Sequence, residues 1–239
     1  LTTSIVRIYW KEIAEINHTH GNRTKVSSLL TSRVIIYFTS ICMMLSVFCI
    51  FWSESLISLI LGDKYSGAVN AFSILMIYPV LQTYVQILGI LMLANGLTMK
   101  YSLVSIIWII LSLIGSFLIF NFGYLFELNV ITSSTLATKL VIFGIIHAVM
   151  FTAACRNLVP IFVIRKIFVA LVTLCVIGFV VSQVFINMSH FVNLGLGGSV
   201  YIFLFFFVVL KFPYFFEASS GDFQLIKNKV LTFIKKSLV

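Results

Sequence analysis

The sequence predicts an all-α fold, a polytopic helical membrane protein with about six transmembrane helices. Three observations predict it. Of the 239 residues, 61% are hydrophobic and 10% are charged, whereas a soluble domain carries about 25% charged residues. So few charges cannot cover a surface that faces water. The apolar residues fall in uncharged runs long enough to cross a hydrocarbon core of about 30 Å as helices of about 20 residues. The runs are continuous and do not alternate apolar with polar residues, as the strands of a membrane β-barrel do.

Spans are expected near 34–52, 68–94, 101–122, 136–155, 167–186 and 191–210. The fourth is the least obvious. Its uncharged part, Leu140 to Cys155, lies between Lys139 and Arg156. At 1.5 Å per residue it would reach only about 24 Å. The helix is therefore expected to extend backwards through Ser133, Ser134, Thr135 and Lys139. The spans divide the chain into a polar cytoplasmic segment (1–31), a transmembrane domain (32–211) and a basic cytoplasmic tail (212–239). In the tail, Phe223, Ile226, Val230, Phe233 and Ile234 have helical spacing among Lys227, Lys229, Lys235 and Lys236. That pattern predicts an amphipathic helix on the membrane surface.

Charge sets the orientation. With the N-terminus in the cytoplasm, all of the 16 Lys and Arg residues except Lys64 and Lys139 fall on the cytoplasmic side. This is the positive-inside bias. The net charge of +9 is therefore a topology signal spread over short loops, and it calls for no nucleic-acid partner. Cys42, Cys49, Cys155 and Cys175 lie in or at the ends of spans without a C-x-x-C pair, and read as small hydrophobes. No H-E-x-x-H, His cluster or phosphate loop occurs. The sequence thus proposes no metal, no cofactor and no catalytic residue, and the chain is not expected to be an enzyme.

The stretch Gly62-Asp63-Lys64-Tyr65-Ser66-Gly67 interrupts two apolar runs. Its glycines suit a turn between two long helices at the outer face. The long helix that follows closes in Leu93-Ala94-Asn95-Gly96, with Lys100-Tyr101 beyond. Together with Leu61-Gly62-Asp63-Lys64-Tyr65, this order of elements resembles the polysaccharide and O-antigen flippases (Wzx-type) of the multidrug, oligosaccharidyl-lipid and polysaccharide exporter superfamily. The resembling part runs from Ser55 to about Leu118, roughly a quarter of the chain.

The resemblance implies twelve or fourteen helices in two lobes around a central cavity. This chain would supply most of one lobe, as the C-terminal part of a longer protein whose N-terminal lobe is its partner. The implied substrate is a polyprenyl-pyrophosphate-linked oligosaccharide such as an O-antigen unit. It would be flipped across the bacterial inner membrane by alternating access, with membrane lipids as the remaining partners. A drug or cation antiporter of the same superfamily is the alternative; it would more naturally carry an acidic coupling residue in a span. A membrane-embedded O-antigen polymerase or acyltransferase is another. It would want a large outer domain, or a His-Asp pair near a membrane face.

Polar residues within spans are the candidate substrate contacts, because lipid cannot satisfy them. Tyr78, Gln82 and Gln86 are four apart and share one helix face. Pro79 removes a backbone hydrogen bond beside them, which permits a kink and frees a carbonyl. The stripe would hydrogen-bond sugar hydroxyls or headgroup oxygens, or else join neighbouring helices. Lys139, just inside the outer end of its span, would meet an anionic lipid-linked sugar or its pyrophosphate, or else snorkel to the interface. His147, deeper in the same helix, reads as a hydrogen-bonded packing histidine.

Overall fold

The computed structural model describes residues 23–122 and 132–212, with side chains over 32–121 and 132–212. Most of the polar segment 1–31 and all but the first residue of the tail 212–239 lie outside the described residues, as does the amphipathic helix expected there. Among the described residues every regular element is helical. Six stretches are long and apolar enough to cross a membrane: Ser32–Phe51, Asp63–Ala94, Thr98–Asn121, Ser133–Ala154, Ile161–Phe185 and His190–Lys211. The chain is a polytopic α-helical protein with the spans the sequence predicts, including the backward extension of the fourth to Ser133.

The helices are α1 (Arg23–Phe51), α2 (Ser53–Leu61), α3 (Val69–Leu75), α4 (Tyr78–Ala94), α5 (Thr98–Phe122), α6 (Ser133–Ala154), α7 (Ile161–Phe185) and α8 (Gly198–Lys211). Local chemistry sets their ends. α2 stops at Gly62, whose φ of 90° suits glycine and whose N–H donates to the Ile57 and Ser58 carbonyls at 3.1 Å. A 3-10 stretch, Asp63–Ala68, then leads into α3. α3 and α4 are separate because Pro79 has no N–H to give the Leu75 carbonyl, so the ladder breaks at Met76 and Ile77. Gly96, with φ 74°, turns the chain between α4 and α5. α6 begins at an N-cap, Thr132, whose hydroxyl accepts from the Thr135 N–H at 3.2 Å.

One feature departs from a plain hairpin. α1 does not run straight into the Gly62 turn but bends at Trp52 before α2. The bend keeps the Trp52 N–H on the Phe48 carbonyl (3.0 Å) and the Leu56 N–H on the Trp52 carbonyl (2.9 Å). It carries the Trp52 indole into the core, where it is 1% exposed. There Nε1 donates to the Asn193 carbonyl (3.0 Å) and to Asn193 Oδ1 (2.9 Å).

α1 is the central helix, packed on α7, α4 and α8. Ser32, Thr39, Ser46 and Ser53 recur every seven residues, and all four are buried. Small side chains at that spacing let a second helix approach closely without leaving voids. α7 answers with Ala170 and Gly178; a methyl on Gly178 would meet Val47 Cγ1 at 2.9 Å and Phe51 Cδ2 at 2.7 Å. One core cluster joins Ile35 and Ile36 of α1, Leu88 and Met92 of α4, Phe151 of α6 and Val163 of α7. A second joins Val47, Trp52, Leu174, Val181, Tyr201 and Phe205. The chain thus alternates direction, and Lys100, Arg156, Arg165, Lys166 and Lys211 come to one end, the basic end. Lys64 lies at the opposite end, beside Gly62. α5 is the least covered spanning helix; it leans chiefly on α6 and presents the rest of its surface outward.

Candidate functional site

The stripe read from the sequence occupies two environments. Tyr78 is half-buried, with its ring against Gly144 of α6, where an added methyl would meet Cδ2 at 3.3 Å. Gln82 and Gln86 are exposed on the surface of the bundle. Neither side chain hydrogen-bonds to another described residue. Leu75 and Pro79 continue the same open face toward the break between α3 and α4. The neighbouring hydroxyls point the other way and tie α4 into the bundle. Thr83 Oγ1 lies 3.2 Å from Cys42 Sγ of α1, and Tyr84 Oη lies 3.0 Å from Thr152 Oγ1 of α6.

Lys139 belongs to a different seam. Its Nζ donates to Ser116 Oγ at 2.7 Å and to Ser112 Oγ at 3.2 Å, both on α5. It also sits 5.3 Å from the centre of the Phe143 ring, within cation–π reach. The amine is thus engaged by side chains of the bundle, an arrangement that neither of its two sequence readings described. Ser116 and Ser112 are four residues apart, so they present both hydroxyls to one lysine. That spacing was the signal for them in the sequence. Gly115 makes the close approach possible, since a methyl there would collide with the Phe143 ring.

One turn further in, Trp108 of α5 donates from Nε1 to the Phe143 carbonyl at 3.2 Å. Its indole stacks on the His147 imidazole with centroids 4.2 Å apart and planes 13° apart. Phe151 meets that imidazole edge-on at 4.8 Å. His147 is a packing histidine, as expected, but its buried Nε2 has no hydrogen-bond partner. Ring stacking, not a polar contact, holds this face of the imidazole. Two further buried hydroxyls, Thr39 Oγ1 and Ser40 Oγ on α1, also lack partners.

The four candidate residues therefore do not converge on one pocket. Tyr78 rests on α6, Gln82 and Gln86 open outward from α4, and Lys139 reaches across to α5. Among the described residues no three His, Cys, Asp or Glu side chains gather where a metal ion could be held. Comparison with protein families, with characterised proteins and with solved structures finds no match to this chain.

Proposed function

We propose that this chain forms most of one lobe of a flippase that carries a polyprenyl-pyrophosphate-linked oligosaccharide across the bacterial inner membrane by alternating access. The observation that carries the reading is the placement of Gln82 and Gln86. They lie within a span, Gln82 nearer its centre, on a face no other described helix covers. An amide facing hydrocarbon is costly. A face that borders water or a second lobe removes that cost and offers donors and acceptors to sugar hydroxyls. The Met76–Ile77 break, five residues before Gln82, supports the same reading, since transporter sites are commonly built where a spanning helix is discontinuous. On this reading the open face of α3 and α4 looks toward the N-terminal lobe of the same protein. The pyrophosphate would travel with the sugar while the polyprenyl chain stays in lipid.

The test is the fate of the lipid-linked oligosaccharide in cells depleted of the protein. The expected outcome is accumulation of the substrate with its saccharide on the cytoplasmic face, relieved by the wild-type chain and poorly by Gln82→Leu. Unchanged export after depletion would refute the proposal.

A further inference from the structure

At the basic end, α5 and α6 part to leave a groove of about 370 Å³. Leu103 and Val104 of α5 and Ala153 and Ala154 of α6 give it apolar walls. Lys100, Arg156 and Asn157 stand at its mouth. Lys100 and Arg156 are exposed, and neither has an ion-pair partner among the described residues. The acidic residues of the described chain, Glu54 and Asp63, lie at the opposite end. Among the described residues the mouth thus carries two cations and one amide, and the groove below it is apolar.

The groove continues into a stripe on α5. Leu103, Ile107, Ile110 and Ile114 follow one another at helical spacing, and all are exposed. From Leu103 to Ile114 the helix rises about 16 Å, about half of a 30 Å hydrocarbon core. That is the depth of one leaflet.

We propose that this groove holds one anionic phospholipid of the leaflet at the basic end. Its phosphate lies between Lys100 and Arg156, the Asn157 amide donates to a headgroup oxygen, and one acyl chain runs along the Leu103–Ile114 stripe. Charge selects the headgroup. A zwitterionic lipid would bring an ammonium to a mouth that offers it no carboxylate among the described residues, whereas an anionic one meets two cations. The inference is independent of the flippase reading, because it concerns the lipid-facing side of α5.

The test is native mass spectrometry of the purified chain titrated with dioleoyl phosphatidylglycerol or dioleoyl phosphatidylcholine. One phosphatidylglycerol should be retained in preference to phosphatidylcholine. Lys100→Gln/Arg156→Gln should weaken its binding about thirtyfold. Arg165→Gln/Lys211→Gln, which removes the same charge from elsewhere at this end, should leave it unchanged. Ala153→Leu, which fills the groove and keeps both cations, should weaken it as well. Millimolar inorganic phosphate should not displace the lipid, since it lacks the chain that the groove and stripe hold. Equal weakening in the two charge-removed pairs would overturn the proposal, as would retention in Lys100→Gln/Arg156→Gln or in Ala153→Leu. So would equal binding of phosphatidylcholine, or displacement by free phosphate.

Discussion

Lys139 Nζ lies 2.7 Å from Ser116 Oγ on the neighbouring helix, so a cation about two turns inside a spanning helix is directed at protein. The bond is replaceable in one sense. Ser116 Oγ also donates to the Ser112 carbonyl at 2.9 Å, so removing the lysine leaves that hydroxyl partnered. Lys139→Met should therefore cost only about 1 kcal/mol of stability, read as a small drop in thermal midpoint in detergent. If the amine also serves the proposed anionic substrate, Lys139→Gln should depress transport at normal protein level and Lys139→Arg should retain more of it. Equal transport by all three variants would confine Lys139 to the α5–α6 seam.

The α1–α7 crossing makes a sharper stability prediction. Gly178→Ala would drive a methyl into Val47 Cγ1 and Phe51 Cδ2. Valine is stiff at χ1 and cannot swing away. The substitution should destabilise by about 1–3 kcal/mol. Adding Val47→Ala should recover part of that loss, so that the double variant is more stable than the sum of the two single effects predicts. Strict additivity in thermal unfolding would mean that the two helices do not meet here.

Water on the open face of α4 can be probed by thiol chemistry. In a background lacking the native cysteines, Gln82→Cys and Gln86→Cys should react with a small charged thiol reagent. Leu88→Cys and Met92→Cys, at positions that are fully buried, should not. Exposure to lipid is not enough for reaction, because the reagent needs water and the thiolate form. Silence at 82 and 86 would place both glutamines against hydrocarbon or another protein surface, and would remove the main support for the transport reading.

Sidedness is a separate question with its own measurement. Ser66→Cys and Asn157→Cys sit at opposite ends of the bundle. In intact cells an impermeant reagent should label position 66 and spare position 157. Labelling of both, or of 157 alone, would reverse or break the expected orientation.

Hydropathy made the spans legible because each apolar run is long and its charged neighbours are few. The start of α6 was legible too, since Leu140 to Cys155 alone is too short to cross. What hydropathy does not encode is the rotation of each helix about its own axis. Lys139 and Gln82 both read as candidate substrate contacts. Packing turned one toward Ser112 and Ser116 and left the other uncovered. The bend at Trp52 was hidden for a related reason: the partner of its indole, Asn193, lies far along the chain. The seven-residue run of Ser32, Thr39, Ser46 and Ser53 does not declare its role in the sequence, because hydroxyls on a spanning helix mark either a polar path or a close crossing, and only the partner helix decides.

Asn193–Gly197 forms a π turn directly above α8, and such a turn holds one residue more than the α-helical ladder would. Each residue advances a helix by about 100°, so the extra residue acts as a phase correction. Above it, Asn193 must face Trp52. Below it, Tyr201 must face α1, where its hydroxyl donates to the Met44 carbonyl at 3.2 Å, and Phe205 and Val209 must follow on the same side. A regular helix from His190 to Lys211 has a single azimuth and cannot meet both demands. Deleting Leu196 would restore the regular ladder and swing one half by roughly a quarter turn, releasing either the indole or the tyrosine. In this protein the spare residue works as a gear tooth, setting the angle at which two halves of one span engage the same neighbour.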